Sequence, residues 1–139
     1  LGIGQLETFP EILSSRQGNA AILTQKLEKY SDVLQLPHFD ASLQEHGFMM
    51  FPIVVKEDAP FSKQSLIEHL EKMNIETRDM MPLINQPVYE DMNINEDDYP
   101  VAKWVNACGF YIGCHQNLHE SDLQYVEDVI AEFLSLQSA

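Results

Sequence analysis

Four side chains near the C-terminus, Cys108, Cys114, His115 and His119, place two thiols and two imidazoles within 12 residues. These are the ligand types zinc prefers. Their spacing argues against a metal centre, because structural zinc ligands come in tight pairs such as C-x2-C and these cysteines stand six apart with a predicted strand between them. Cys108 as a small buried hydrophobe and two histidines flanking a turn is the better reading, and no metal is expected. A Cys nucleophile is no better supported, since His115 beside Cys114 in sequence is not thereby beside it in space. Gly2-x-Gly4 has neither a preceding strand nor a third glycine, so it is no phosphate loop. Glu96-Asp97-Asp98 lacks the alternating ligands and turn glycine of a calcium loop and reads as a solvated face. His69 is expected on the surface of an amphipathic helix.

Arg78 has the strongest claim to a ligand. It is one of only two arginines, and it stands at the end of a predicted strand before a Pro-bounded loop, where sites tend to be built. A guanidinium there can hold a carboxylate or phosphate in bidentate fashion, and the competing use is an ion pair with a neighbouring acid. Downstream, Asn85, Gln86 and Tyr89 supply uncharged donors and acceptors of the kind that orient a polyhydroxyl ligand, although turn chemistry would also explain Asn85.

The elements that must position these groups follow from periodicity. Leu13, Ala20, Leu23, Leu27 and Tyr30 recur at helical steps and predict a helix from Pro10 to Tyr30, with Pro10 in its first turn. Leu6 and Phe9 continue the apolar stripe upstream, as the tail of another helix. Leu34 to Pro37 ends the periodicity and opens an extended connector running to Gly47. Phe48 to Val55 predicts a strand, with Pro52 pointing to a sheet edge or a bulge. Ser62 caps a helix from Lys63 to Met73, which Asn74 stops. Ile75 to Arg78 is a short strand, Pro82 and Pro87 enforce an irregular loop through Tyr89, and Glu90 to Asp98 is solvated loop. Tyr99 to Cys108 is a helix ended by Gly109, and Phe110 to Ile112 a strand ended by Gly113. Ser121-x-x-Gln124 opens the C-terminal helix as a capping box. Strands and helices alternate, so the fold class is α+β, an α/β sandwich in which helices cover a small antiparallel or mixed sheet.

Composition narrows the function. The chain has 139 residues and a formal net charge of -14, from 8 Lys+Arg against 22 Asp+Glu. That balance repels phosphate backbones and anionic headgroups, which argues against nucleic-acid and peripheral membrane roles. No run approaches a membrane span, and two cysteines cannot build a disulfide framework, so a cytoplasmic protein is expected. The first residue is Leu rather than Met, which raises the expectation of a piece of something longer.

Phe51-Pro52-Ile53, a helix, Ile75-Glu76-Thr77-Arg78, Pro82, Gln86-Pro87-x-Tyr89, Tyr99-Pro100-x-Ala102 and Ser121-Asp-x-x-x-Val126 resemble, in that order, the C-terminal part of the DegT/DnrJ/EryC1/StrS sugar aminotransferases. Gly4-Gln5-Leu6-Glu7 followed by Ser15-Arg16-x-x-Asn19-Ala20 is similar to the helix that links that family's large and small domains. The resemblance implies a linker region over residues 1–41 and a small domain over residues 42–139 of a fold-type-I enzyme. It implies pyridoxal phosphate as cofactor, a nucleotide-sugar substrate, an amino donor such as glutamate, and a homodimer. The family's cofactor lysine lies in the large domain, and none of Lys26, Lys29, Lys56, Lys63, Lys72 or Lys103 has its context, so no catalytic residue is carried over. The substrate-facing residues implied are Arg78, Asn85, Gln86 and Tyr89. Asn74 stands where the family usually has Gly, and Asn85 is nearest to a loop His that many members carry. A minority branch of dehydrases has an "AGN" loop not seen here, which favours amino transfer. A stand-alone acidic interaction domain is the alternative from another class.

Overall fold

The structure, a computed structural model, describes residues 2–40, 42–92 and 94–137. A long helix, α1 (Gly2–Leu27), leads through a short 3-10 turn, Glu28–Tyr30, into the strand β1 (Leu34–Gln35). Then follow β2 (Met50–Val55), α2 (Lys63–Lys72), β3 (Thr77–Asp79), α3 (Pro100–Cys108), β4 (Gly109–Gly113) and α4 (Glu120–Gln137). The strands form one antiparallel sheet in the order β1-β2-β4-β3. The chain is thus α+β, as its alternation predicts.

Alternation along the strands divides the sheet into two faces. Phe51, Ile53, Val55, Phe110 and Ile112 point to one face and are buried. They share a core with Leu23 and Leu27 of α1, Leu66 and Leu70 of α2, and Leu123, Ile130 and Phe133 of α4. The second face carries Pro52, Tyr111 and Arg78 in one row across three strands. Near Val54 this face is shielded by α3, which packs on β2 and β4. At the junction of α3 and β4, a Cβ on Gly109 would stand 2.6 Å from the Val105 carbonyl oxygen, so a residue without a side chain is required there.

Local chemistry explains most boundaries. The Ser62 hydroxyl accepts from the Ser65 N–H (3.1 Å), the N-cap bond expected from sequence. At the other end of α2, Asn74 adopts φ 60°, and the N–H groups of Asn74 and Ile75 donate to the carbonyls of Glu71 (3.0 Å) and Leu70 (2.9 Å). This is a Schellman closure, in which Asn does what glycine usually does.

Four expectations are corrected. Pro10 lies inside α1 rather than in its first turn, because the turns before it continue the helix. It denies the Leu6 carbonyl its helical donor, at a point where the flanking Leu6 and Phe9 are exposed. Pro52 sits in an interior strand without a bulge, but β1 pairs only with Val54 and Val55, so beside Pro52 the strand has one neighbour and needs no second donor. The start of α4 is not the Ser121 box: the Asp122 carboxylate accepts from the His119 N–H (2.8 Å), and the helix begins at Glu120. The loop from Pro82 to Asp98 is a succession of 3-10 turns, Leu83–Asn85, Pro87–Met92 and Glu96–Asp98. Asn95 caps the last of them by accepting from the Asp97 N–H (3.2 Å).

Candidate functional site

Arg78 stands exposed in β3, directly across from Tyr111 of β4. Its guanidinium donates to the Glu76 carboxylate two residues earlier, on the solvent side. Such an exposed pair is screened by water and is weakly held. Behind Arg78 a cleft of about 590 Å³ opens between the β3–β4 edge and the N-terminal half of α4. Its floor includes the buried Leu23, Ile112 and Leu123, and its rim carries Glu76, His115, Tyr111, Asp122 and Tyr125. The Tyr125 hydroxyl donates to the Met73 carbonyl (3.0 Å), which anchors one side of the opening. A volume in the range typical of small-molecule sites, an apolar floor and a few convergent polar groups make this the candidate pocket.

The other expected ligand residues sit apart from that cleft. Asn85 ends the first 3-10 turn of the following loop and donates through Nδ2 to the Glu96 carboxylate (2.9 Å), while its Oδ1 is buried without a partner. Gln86 donates to the Met81 carbonyl (3.3 Å), and Tyr89, half-buried, lies in the next turn with its N–H on the Gln86 carbonyl (2.9 Å). Arg78 therefore lines the cleft, whereas Asn85, Gln86 and Tyr89 form a separate group on the loop that leaves β3.

Sequence reasoning missed Tyr111, Asp122 and Tyr125. Tyr111 was within reach, because pairing the two short strands antiparallel sets it opposite Arg78. Asp122 and Tyr125 come from a helix more than 40 residues downstream, and although Asp122 falls in the Ser121 to Val126 motif, nothing local connects either residue with Arg78. His115 enters in a different role from the zinc ligand weighed for it. Its carbonyl accepts from Asn19 Nδ2 of α1 (2.7 Å), and its Nδ1 accepts from the Asn117 N–H (3.2 Å). Cys114 is buried, donating to the Arg16 carbonyl (3.5 Å), and burial pushes its thiol up to about 11. A thiol so shifted stays protonated at neutral pH and is a poor nucleophile. Among the described residues no three His, Cys, Asp or Glu side chains gather as metal ligands would. His69 is not on the surface as expected. Its ring lies 5.4 Å from that of Phe133, and its Nε2 is buried without a hydrogen-bond partner.

The clearest electrostatic feature outside the cleft joins α1 to α4. Glu127, nearly buried, forms an ion pair with Lys29 (2.6 Å) and accepts from the Tyr30 hydroxyl (2.9 Å) and from Gln124 (2.7 Å). The Lys29 bond first, then the Tyr30 and Gln124 bonds, hold its carboxyl below the usual carboxylate range against the opposing effect of burial. Lys63, with Asp79 (2.9 Å) and the Asn106 carbonyl (3.0 Å), and Lys103, with Asp97 (2.5 Å), are likewise engaged. Among the described residues no lysine lines the Arg78 cleft.

Comparison with known proteins bears on what such a site serves. Residues 1–131 match the profile described as the DegT/DnrJ/EryC1/StrS aminotransferase family. The lipopolysaccharide biosynthesis protein RfbH of Salmonella typhimurium is 27% identical over 97% of the chain and 31% of its own length. The GDP-4-keto-6-deoxy-D-mannose 3-dehydratase of Escherichia coli O55:H7 is 26% identical over 94% of the chain and 34% of its own length. Among solved structures, an E. coli GDP-4-keto-6-deoxy-D-mannose-3-dehydratase with bound hydrated PLP superposes with a TM-score of 0.75 at 24% identity, covering 92% of this chain and 33% of that one. The chain spans about a third of the length of the curated relatives it matches.

Proposed function

Because the chain belongs to the DegT/DnrJ/EryC1/StrS aminotransferase family, we propose that it is the C-terminal part of a pyridoxal-phosphate-dependent enzyme acting on a nucleotide-linked keto sugar. The observation that carries this reading is the profile match over residues 1–131, combined with relatives about three times the chain's length. In this reading residues 1–41 connect to a larger domain and residues 42–139 form the small domain, with the first turns of α1 leading away from a core that its later turns, Leu23 and Leu27, help to build. The enzyme works as a homodimer with its active site largely outside this chain.

The residues of this chain do not by themselves fit pyridoxal phosphate. The Arg78 cleft offers one guanidinium and no lysine to hold the aldehyde, and Lys29, Lys63 and Lys103 are committed to carboxylates. The cofactor, which supplies the electron sink for such chemistry, is therefore held by the remainder of the enzyme. What this chain contributes is substrate orientation. Arg78 offers a fork of donors to an anionic group, and Asn85, Gln86 and Tyr89, grouped apart from it on the loop that leaves β3, offer polar groups for hydroxyls brought to that loop.

Two reactions compete for the parent enzyme. The 3-dehydratase name carried by a sequence relative and by a solved structural neighbour favours loss of the C-3 hydroxyl. Amino transfer from glutamate, which the motif resemblance implies, is the second reading and is supported by the family description itself. Mass spectrometry separates them. The full-length enzyme, loaded with pyridoxal phosphate and given glutamate and GDP-4-keto-6-deoxy-D-mannose, yields a 3-deoxy sugar in the first case and an amino sugar in the second. Unchanged substrate, with UDP- and dTDP-linked keto sugars also unchanged, would refute both.

A further inference from the structure

The segment that joins β3 to α3 keeps its large apolar side chains outside. Among the described residues, Met81, Leu83, Val88, Met92, Ile94 and Tyr99 are exposed within this one stretch, whereas the other large apolar residues in water are scattered over α1, the connector before β2, the first turn of α3 and α4. Yet the segment is no open coil. It is built of three 3-10 turns, the first two pack together, and Asn85 Nδ2 on the Glu96 carboxylate (2.9 Å) ties the first to the last. Backbone folded on itself that still leaves Leu83 67% and Val88 78% exposed presents a surface, because single exposed apolar residues are ordinary and a concentration of them marks an interface.

We infer that the surface from Met81 to Tyr99 seats the larger domain of the same polypeptide, which meets it with apolar side chains rimmed by Lys and Arg. This rests on the proposed function, in which the chain is the smaller part of a longer enzyme, and goes beyond it by naming the face on which the two parts meet and the chemistry of the opposing face.

Charge selects the occupant. From Met81 to Tyr99 the sequence has five acids, Glu90, Asp91, Glu96, Asp97 and Asp98, and no Lys, Arg or His. Lys103 reaches in from α3 and is held by Asp97 (2.5 Å), which leaves the surface acidic. A second copy paired face to face would bring the same acids against these, and like charges across an interface are costly. A basic rim removes that cost. In the reading above the remainder of the enzyme holds a phosphate-bearing cofactor and meets a nucleotide diphosphate, while this chain has 8 Lys+Arg against 22 Asp+Glu. The enzyme's cations are therefore concentrated in that remainder, which makes it the complementary surface. Tethering acts in the same direction. With α1 connecting the two parts, the contact forms within one molecule, where a modest apolar area suffices that would not hold two free proteins together.

The test is made on the full-length enzyme. Carbodiimide joins carboxylates to amines in contact, and the acids from Asp91 to Asp98 are expected to link to lysines upstream of residue 1, with the Asp97–Lys103 pair as internal control. Leu83→Ser combined with Val88→Ser, at positions too exposed to support the fold of this chain, is expected to speed amide exchange about tenfold or more, both across residues 81–99 and in the upstream peptide that carries the opposing face. Leu136→Ser, as exposed on α4, changes neither. No link other than the control, or upstream exchange that the double substitution leaves unchanged, would overturn the inference. Links to residues 1–139 of a second copy, recognised in dimers of isotope-labelled and unlabelled subunits, overturn it in favour of self-association. If no upstream link forms while the enzyme converts a nucleotide-linked keto sugar, the inference falls and the proposed function stands. If links and exchange appear as expected and no such sugar is converted, the proposed catalysis falls and the interface remains.

Discussion

The contact between α1 and α4 and the segment from Met81 to Tyr99 are held in opposite ways. The helix pair buries Leu23, Leu27, Leu123 and Ile130 and ties their margins with the Glu127 cluster, with Arg16 on Gln116 (3.1 Å) and with Asn19 on the His115 carbonyl (2.7 Å). The segment is bonded largely to itself, through Asn85 on Glu96, Gln86 on the Met81 carbonyl and the turn bonds of its 3-10 helices. It leaves Leu83, Val88 and Met92 in water. The difference separates two jobs. Over-determined packing fixes where β3, β4 and α4 stand, while side chains proposed to meet a ligand ride on backbone that opens at low cost.

That contrast predicts a graded set of responses. The largest belongs to the core: Phe110→Ala, at a fully buried position, lowers unfolding free energy by about 3–5 kcal/mol in urea titration. A loss below about 1 kcal/mol would mean that the sheet is not the centre of the fold. Next comes the alkaline limb. Burial raises the Cys114 thiol from its ordinary 9.0 to about 11. A raised folded value contributes stability that is complete below pH 9 and is lost as pH rises towards 11, because only the unfolded thiol ionises in that window. Cys114→Ala should flatten this limb, and Cys108, half-buried, should react with iodoacetamide well before Cys114 does.

The acid limb is the third response. Glu127 is held low chiefly by Lys29, so its contribution is present above the usual carboxylate range and lost as pH falls through its lowered value. Glu127→Gln should lower the urea midpoint at pH 7 and shrink the difference between pH 7 and pH 3; an unchanged pH dependence would remove the cluster from the account of the helix pair. The smallest effect belongs to the loop. Asn85→Ala costs about 0.5–1.5 kcal/mol for one hydrogen bond and speeds proteolytic cleavage between Met81 and Tyr99 far more than global unfolding. Equal acceleration of both would merge the two regions into one cooperative unit.

Legibility follows the same division. The strand expected over Phe48 to Val55 and found at Met50–Val55, the capped helix from Lys63 and its stop at Asn74 were plain in sequence because each is decided by neighbours within a few residues. β1 was not, since two residues, Leu34 and Gln35, carry no period and pair only because β2 lies ready beside them. Pro10 misled because a proline marks a first turn only when the turns before it are not helical. The start of α4 went to His119 and Asp122 over a good Ser-x-x-Gln pattern, as two overlapping caps compete and the loop entering the helix decides between them. Arg78 was legible as an exposed cation at a strand end. The cleft behind it was not, because its walls come from α1, β3, β4 and α4, and only tertiary packing joins them.

The sheet's margins carry one more consequence. A bare strand edge recruits other chains, and here one margin is only two residues long while the other, Thr77–Asp79, presents Arg78 and Asp79 to solvent. Charges at an edge act as gatekeepers against intermolecular sheet growth. Arg78 thus stands guard over solubility as well as over the cleft. An Arg78→Ala protein is expected to need lower concentrations to stay clear, and any ligand that neutralises this guanidinium touches the chain's defence against aggregation.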